Sequence, residues 1–143
     1  MDIVIENNSI KRLQRGDIHK CFSFWDFENN LEKRDRIEFE VDNKIRTMYA
    51  YILNDKYVAG MSLSPMDNKT IYLSYLAVNE EYRNQGIGTK MIRFACQISK
   101  NEGYSYVVLK VDNDNSEAEK LYKKLGFGVI GKSCERTEMG IAL

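Results

Sequence analysis

Two glycines and two basic residues stand close together in the segment that precedes a predicted helix. Gly86 and Gly88 flank Ile87, and Arg83 and Lys90 lie on either side of them. Glycines allow the backbone to approach a ligand closely, and the amides of a first helical turn have no intrahelical acceptor. Together with the helix dipole, such amides favour a phosphate by about 0.3 to 2 kcal/mol. The segment therefore predicts either an anion site or a purely structural turn.

The glycine spacing excludes two widespread phosphate-binding loops. The Rossmann pattern Gly-x-Gly-x-x-Gly would require a third glycine where the chain has Met91. The Walker pattern would place a lysine directly after Gly86, where the chain has Ile87. If this segment binds a phosphate, it does so as a different kind of loop.

The sequence has few of the residues that metal sites and hydrolase triads require. His19 is the single histidine, and Cys21, Cys96 and Cys134 are widely separated along the chain. A zinc site requires cysteines or histidines in pairs at short spacing, so no metal site is expected. Ser-His-Asp and Cys-His arrangements are excluded unless His19 alone serves. The odd number of cysteines indicates reduced thiols of a cytosolic protein rather than a disulfide framework.

Charge and hydropathy indicate a soluble cytoplasmic protein. The 21 basic and 21 acidic residues cancel, so no strong field attracts nucleic acid, and we expect no nucleic-acid partner. The N-terminus, residues 1–6, lacks a positive start followed by an apolar stretch. No apolar run is long enough to span a bilayer, and we expect no membrane partner.

The pattern of apolar residues predicts one α/β (α+β) domain over residues 1–143, with a mixed, mostly antiparallel sheet and helices on both faces. The predicted strands are Ile3–Leu13, Met48–Leu53, Tyr57–Leu63, Thr70–Val78, Tyr104–Val111, Phe127–Lys132 and Glu135–Ala142. The predicted helices are Asp17–Phe24, Asn29–Glu40, Ile87–Lys100 and a last helix that begins at Ser116. Exposed terminal strands also make a homodimer plausible.

Local signals predict where several of these elements begin and end. Asp17 is the expected N-cap of the first helix, and Ser116 with Glu119 forms an expected capping box for the last. Gly126 is expected to end that last helix in a left-handed conformation. The residues 54–56 have the composition of a hairpin turn. The second helix has a weak apolar stripe of Leu31, Ile37 and Val41.

Several motifs, in fixed order and spacing, resemble the GCN5-related N-acetyltransferases. They are Leu76-Ala77-Val78, Arg83-x-x-Gly86-x-Gly88, Asn115-x-x-Ala118-x-x-Leu121-Tyr122 and Leu125-Gly126-Phe127. The resemblance covers roughly residues 70–131, and the N-terminal part matches only in the order of its elements. It implies an acyl-CoA N-acyltransferase fold and acetyl-CoA as the cofactor.

The resemblance also implies which residues hold the cofactor. The backbone of Leu76, Ala77 and Val78 would pair with the pantetheine arm, where neighbouring strands separate to make room for the thioester. The loop from Arg83 would offer its amides to the pyrophosphate, through Asn84, Gln85, Gly86, Ile87, Gly88 and Thr89, with Lys90 following. Asn115 would contact the cofactor arm, and Ala118 belongs to the same motif. Tyr122 would protonate the departing thiolate.

The chemistry of acyl transfer gives Tyr122 a role that does not depend on the resemblance. An amine that attacks a thioester expels a thiolate, which needs a proton. A phenol can supply it, because reference thiol and phenol pKa values differ by only about 1.5 units. The alternative is that Tyr122 only packs, since it shares a helix face with Ala118, Leu121 and Leu125.

The base that deprotonates the acceptor amine is left open. The strand before the glycine loop has no carboxylate in residues 70–75. Deprotonation could use a water chain from Tyr72 or Ser74, or a carboxylate from the N-terminal helices. Those carboxylates are Asp26, Glu28, Glu38 and Glu40.

An aromatic cluster, Phe22, Phe24, Trp25 and Phe27, lies between the two early helices. In this family that region usually forms the acceptor pocket, so the cluster could be a pocket wall. Closely spaced aromatic residues are more often ordinary core, and we favour core here.

These observations predict transfer of an acetyl group from acetyl-CoA to a primary amine by direct attack in a ternary complex. A small acceptor, such as a polyamine, an amino acid or an aminoglycoside-like compound, is preferred over a protein amino group. The alternatives are a non-catalytic acyl-CoA sensor or interaction module, and a nucleotide-phosphate binder of unrelated chemistry.

Overall fold

The computed structural model describes residues 9–27 and 29–143. Within them the strands are β1 (Ile10–Arg12), β2 (Thr47–Leu53), β3 (Lys56–Pro65), β4 (Thr70–Val78), β5 (Tyr106–Asp112), β6 (Gly128–Lys132) and β7 (Arg136–Ala142). The α-helices are α1 (Leu31–Asp42), α2 (Ile87–Asn101) and α3 (Ser116–Lys124). Short 3-10 helices cover Arg15–Cys21 and Glu80–Tyr82.

The strands form one mixed sheet in the order β1-β2-β3-β4-β5-β7-β6. All neighbours are antiparallel except β4 and β5, which run parallel because helix α2 crosses over between them. The expected mixed, mostly antiparallel sheet is confirmed. None of the helices in the described ranges is long and apolar enough to cross a membrane.

Strand alternation divides the interior into two cores, one on each side of the sheet. On the side that we name the α2 face, Tyr49, Met61 and Leu73 pack with Met91 and Ala95 of helix α2. The partly buried Ala118, Leu121 and Tyr122 of α3 pack against this same core. The opposite side, named the α1 face, carries the second core of Leu13, Ile18, Cys21, Trp25, Phe27, Ile37, Met48 and Ala50. Helices on both faces are therefore confirmed.

Turns and helix ends follow the local signals closely. Asn54 and Asp55 both have positive φ angles, 48° and 65°, and form the two-residue turn between β2 and β3. Gly126 has a φ of 107° after helix α3, and the Phe127 amide donates to the Tyr122 carbonyl at 3.0 Å. This bond closes the left-handed cap that the sequence predicted.

Both predicted N-caps are wrong by one or a few residues. The first segment is a 3-10 helix capped at Gln14, whose amide donates to Asp17 Oδ2 at 2.9 Å, so Asp17 lies inside the helix. Helix α3 is capped by Asn115 rather than Ser116. Glu119 forms an ion pair of 2.9 Å with Lys123 instead of closing a capping box. In α3 the neighbouring Asn115 side chain accepts the free amide of Ala118 in place of Ser116.

Two further expectations concern the N-terminal part: one extends beyond the described residues, and the other needs correction. Strand β1 begins at Ile10, and the earlier part of the predicted strand lies outside the described residues. Helix α1 buries Ile37, but Leu31 at its first position is 63% exposed. A residue in the first turn precedes the point where the helix meets the sheet, so Leu31 does not join the stripe.

Candidate active site

The parallel strands β4 and β5 separate after a short stretch of pairing. Their register contains three pairs, Thr70 with Tyr106, Ile71 with Val107 and Tyr72 with Val108. Beyond these pairs β4 still follows β3 as far as Val78, and β5 follows β7 as far as Asp112. A wedge-shaped gap therefore opens in the middle of the sheet, with a free strand edge on each side.

A bulge in β4 marks the start of this gap. Opposite β3, the register passes from Ser62–Ser74 to Gly60–Ala77, so β4 has one residue more than its partner here. Tyr75 lies in the bulge with a φ of 54°, a left-handed conformation that costs about 1 to 2 kcal/mol for a residue with a Cβ. A bulge bends and twists its strand, which accounts for the departure of β4 from β5.

A hydrogen bond from the other core fixes the bulge. Trp25 Nε1 donates to the Tyr75 carbonyl oxygen at 2.8 Å. Trp25 itself is 4% exposed and stacks on Phe27 at 5.5 Å between ring centroids. The carbonyl of Tyr75, a residue with a strained backbone, is therefore held by a side chain that packing immobilises.

The free end of β4 contains the motif Leu76-Ala77-Val78 and leads directly into the loop before α2. Leu76 and Val78 pack on the α2 face, and Ala77 packs on the α1 face. Arg83 Nε donates to the Val78 carbonyl at 3.1 Å, which turns the exposed loop back towards the strand end. The arginine therefore shapes the loop through its side chain.

Helix α2 begins with its first amides uncapped by a side chain. Asn84 and Gly86 have positive φ angles of 63° and 81°, so the chain turns sharply before the helix. Gly86 is the N-cap, and no side chain of the described residues accepts a hydrogen bond there. A Cβ built on Gly86 or Gly88 would meet no atom within 4 Å. Free amides next to open space are the arrangement that an anion requires.

The remaining residues of this loop divide between the interior and the surface. Ile87 is buried, so only its backbone faces the open space before the helix. Gln85 and Lys90 are exposed, and Thr89 is half-buried. Lys90 Nζ lies 5.9 Å from the centroid of the Tyr51 ring, and the first turn of α2 has no acidic residue. The helix start is therefore positive in both its dipole and its side chains.

Helix α3 starts at the same edge of the sheet as α2, because each follows one of the two parallel strands. Asn115 Oδ1 accepts the Ala118 amide at 3.2 Å and caps the helix. Ala118 packs against the core of the α2 face. The helix N-termini on both sides of the gap therefore point towards its open end.

Tyr122 lies one turn further along α3 and is partly buried. Its ring is 6.0 Å from that of Phe127, and burial raises the pKa of its phenol above the ordinary value of 10. A phenol with a raised pKa is fully protonated at neutral pH. It can donate a proton but is a poor base.

A family model for the acetyltransferase (GNAT) family matches residues 12–127. The chain belongs to the GNAT family. The human N-acetyltransferase 8B is 36% identical over 84 residues, which are 55% of this chain and 37% of that protein. The N-alpha-acetyltransferase 30 of Schizosaccharomyces pombe is 41% identical over 56 residues, 39% of this chain and 37% of that protein. The chain thus spans less than two-fifths of either of these relatives.

The GNAT fold extends over nearly the whole chain. The PaiA N-acetyltransferase of Thermoplasma acidophilum, solved in complex with coenzyme A, superposes with a TM-score of 0.78 at 18% identity. The match covers 94% of this chain and 99% of that one. At this level of identity the comparison shows the fold, including the N-terminal part that the sequence motifs did not reach.

The α1 face of this GNAT sheet is built around the predicted aromatic cluster. Trp25 and Phe27 are buried, while Phe22 and Phe24 pack against them and are partly buried. The preference for core over a free pocket wall therefore agrees with their burial. A Cβ on Gly60 of β3 would lie 2.5 Å from Trp25 Cζ2, so only glycine leaves room for this ring.

The carboxylates considered as bases are engaged elsewhere in this GNAT chain. Glu38 lies 3.7 Å from Arg34, and Glu40 lies 3.0 Å from Arg46. The exposed Asp26 accepts a hydrogen bond from Asn29 at 2.8 Å. Glu28 lies outside the described residues. Within the described ranges no group of three or more His, Cys, Asp or Glu side chains could hold a metal ion.

Sequence reasoning did not single out three residues that shape the gap. Tyr75 forms the bulge, Gly60 admits Trp25, and Arg46 lies 5.4 Å from the Tyr75 ring centroid. A glycine inside a strand pattern signals a close approach, so Gly60 carried a readable signal. The bulge and the arginine contact depend on residues far apart in the chain and had none.

Proposed function

We propose that this GNAT protein is an acetyl-CoA-dependent N-acetyltransferase that acts on a primary amine, with a small-molecule acceptor preferred. The observation that carries the proposal is the gap between β4 and β5, with an uncapped helix start at its open end. A free strand edge suits an amide-bearing chain, and free helical amides suit a phosphate. Pantetheine pyrophosphate has both groups in one molecule.

The residues around the gap fit coenzyme A in three parts. The backbone of residues 76–78 would pair with the pantetheine arm along the free edge of β4. The amides of residues 84–89 would bind the pyrophosphate, and the side chains of Arg83 and Lys90 would add positive charge. The Asn115 carboxamide oxygen already caps α3, so its NH2 group would contact the arm.

Acetyl-CoA would supply an acetyl group activated as a thioester, and Tyr122 would supply the proton that the departing sulfur needs. The raised pKa of its partly buried phenol keeps that proton available throughout the neutral range. A positioned acid of this kind contributes about 10² to 10⁴ to a rate.

Direct attack by the amine is favoured over transfer through a cysteine. Burial raises the pKa of Cys21 to about 12 and that of Cys96 to about 11. Both thiols are therefore protonated at neutral pH, and a protonated thiol is a weak nucleophile. Cys134 is exposed and lies in the turn between β6 and β7, outside the motifs of the gap.

Deprotonation of the amine would run through water held by Tyr72 and Ser74. Both lie on the α1 face of β4, between the inward-facing residues of the other core. Glu38 and Glu40 are already held in ion pairs by Arg34 and Arg46, on helix α1 and the loop after it. Those two glutamates are therefore the weaker candidates.

The decisive experiment measures coenzyme A binding by calorimetry and product formation by mass spectrometry with a panel of amines. We expect binding of acetyl-CoA and an acceptor whose mass rises by one acetyl group. Absence of any acetyl-CoA binding would overturn the proposal. ATP is included as a competitor, because displacement of CoA by ATP would favour a nucleotide-phosphate binder.

One observation favours a second candidate, a non-catalytic acyl-CoA sensor. No side chain on the β4 strand is a carboxylate, so the strand offers no strong base at the gap. Acetyl-CoA binding without turnover of any amine in the same panel would support the sensor. Turnover of a single amine would exclude it.

A further inference from the structure

The gap between β4 and β5 has a second side, on the α1 face. An acceptor that attacks a thioester lying in the gap must approach from the side that the cofactor does not fill. On the α1 face the side chains bordering the gap are Tyr72, Ser74 and Tyr75 from β4 and Lys110 from β5. These residues, together with the side chains that pack on them, determine which groups contact an acceptor.

Three cationic side chains lie against the two tyrosine rings of this border. Lys33 Nζ from helix α1 lies 5.1 Å from the Tyr75 ring centroid, and the Arg46 guanidinium carbon lies 5.4 Å from it. Lys110 Nζ lies 6.0 Å from the centroid of the Tyr72 ring. Contacts of this kind attract a cation to an aromatic face and hold it there. Three positive side chains from three parts of the chain thus converge on one short stretch of β4.

Neighbouring carboxylates neutralise only part of this charge. Arg46 pairs with Glu40 at 3.0 Å and also donates to Ser62 Oγ at 2.8 Å. Glu138 stands opposite Lys110 in the register of β5 and β7. Among the ion pairs of residues 9–27 and 29–143, none engages Lys33 or Lys110. Two ammonium groups therefore face the α1 side of the gap without an ion-paired carboxylate from the described chain.

We propose that the acceptor of this enzyme is an amine that also carries a carboxylate, and that Lys33 and Lys110 bind that carboxylate beside Tyr75. The inference rests on the proposed acetyltransferase function and specifies its substrate class. Charge-assisted hydrogen bonds from the ammonium groups would orient the acceptor and leave its amine free to reach the thioester.

The same cations exclude another class of acceptor. A polyamine or aminoglycoside carries further positive charges, which would lie close to Lys33, Arg46 and Lys110. Like charges brought together in a binding site oppose binding of the wrong partner. The site therefore discriminates through repulsion as well as attraction.

The test compares matched acceptors at fixed acetyl-CoA concentration. For several chain lengths, kcat/KM is measured for an ω-amino acid, for its carboxamide and for the diamine of the same length. A second arm compares short peptides that have Asp or Asn beside a free N-terminal amine, and so distinguishes free amino acids from acidic peptides. Hydrogen bonds between two charged groups are stronger than those to a neutral group, so we expect the carboxylate to be preferred at least about tenfold in one arm.

Variants then connect the preference to the residues. Lys33→Gln should lower the preference for carboxylate over carboxamide about tenfold, mainly through KM, and leave CoA affinity unchanged. The Lys33 backbone amide donates to Asn30 Oδ1 at 3.0 Å, which caps helix α1 without using the Lys33 side chain, so the helix should fold normally. Lys100→Gln removes the same charge at the exposed far end of α2 and should leave the preference intact.

The outcomes separate the inference from the function on which it rests. Faster acetylation of the carboxamides or diamines would overturn the inference and leave the acetyltransferase function standing. A carboxylate preference that Lys33→Gln does not change would overturn the assignment of Lys33. Acetyl-CoA binding without acetylation of any acceptor would overturn the proposed function, and the inference with it.

Discussion

Both faces of the sheet border the same gap, but one presents main-chain groups there and the other presents side chains. On the α2 face, the open space before helix α2 is bordered by backbone amides, two glycines and left-handed turns at Asn84 and Gly86. On the α1 face, the border consists of side chains, namely tyrosines and cations, and the buried Trp25 and Phe27 hold Tyr75 through a hydrogen bond and a ring contact. One face offers main-chain groups common to any sequence with that turn, and the other offers a particular set of charges.

This difference predicts how each face responds to substitution. A change on the α2 face should alter coenzyme A affinity equally for every acceptor, because the proposed pyrophosphate site consists of main-chain groups that do not depend on the acceptor. A change on the α1 face should alter the choice of acceptor and leave CoA affinity nearly constant. Variants that separate these two readouts therefore test the division itself.

The largest effect is expected from Gly88→Glu. A Cβ at this position meets nothing within 4 Å, so the fold should tolerate the side chain. A carboxylate about 4 Å from a phosphate costs on the order of 4 kcal/mol at an effective dielectric constant of 20, or about 1,000-fold in affinity. Calorimetry with CoA measures this loss.

Gly88→Ala is the matched companion, because it adds the Cβ without the charge. We expect CoA affinity to fall about tenfold while thermal stability rises slightly, since alanine favours a helix by roughly 0.5 kcal/mol or more over glycine. Gly16→Glu, on the opposite face and also in open space, should leave CoA affinity unchanged. Unchanged affinity in Gly88→Glu would mean that the pyrophosphate binds elsewhere.

Tyr122→Phe is expected to lower kcat about 100-fold, the lower limit for a positioned acid, with little change in CoA affinity. Because burial raises the pKa of Tyr122, loss of rate through phenol ionisation should begin at a higher pH than for an ordinary phenol. The phenylalanine variant should lack that alkaline decline. Tyr106→Phe, at a 49% exposed position, is the control. A normal rate in Tyr122→Phe would remove the phenol from the mechanism.

On the α1 face, Gly60→Ala should destabilise the fold by about 1 to 3 kcal/mol, because the new Cβ would lie 2.5 Å from Trp25. Movement of that ring should disturb its bond to the Tyr75 carbonyl and raise the acceptor KM. Urea denaturation and steady-state kinetics measure the two effects. Gly128→Ala, in a strand with open space, should change stability by less than about 0.5 kcal/mol.

The α2 face could be predicted from the sequence because its signals are local. Gly86 and Gly88 predict an open turn, and Gly126 predicts a helix end. Each glycine lies within a few residues of the feature that it predicts. The same is true of the crossover helix, whose predicted start at Ile87 agrees with the structure. Main-chain geometry of this kind is encoded by the residues that adopt it.

The α1 face could not be predicted in the same way. The bulge at Tyr75 has no glycine, and its carbonyl is fixed by Trp25, which lies 50 residues earlier in the chain. Lys33 and Arg46 reach the same ring from a helix and from the loop that follows it. Such convergence depends on tertiary packing, and single-residue propensities contain no information about it.

The smallest expected effect concerns the acid stability of the α1 face. Burial on its own raises the pKa of Asp17, but the Gln14 amide, Lys11 and Lys20 outweigh it, so the net pKa lies below the usual value. A lowered pKa stabilises the folded state above about pH 3.8, and this contribution disappears as the pH falls through the folded-state pKa. Asp17→Asn should therefore cost about 1 kcal/mol at pH 7 and progressively less in acid.

The single tryptophan makes this measurement specific to one face. Trp25 packs in the same core as Ile18 and Cys21 of the 3-10 helix that contains Asp17, so its fluorescence reports unfolding of the α1 face. Asp35→Asn, at an exposed position of α1, should leave the denaturation midpoint unchanged across the pH range. If the difference in unfolding free energy between wild type and Asp17→Asn stayed constant down to pH 2, the stabilisation would come from packing. A difference that disappears as the pH falls below 3.8 would assign the stabilisation to the charge of Asp17.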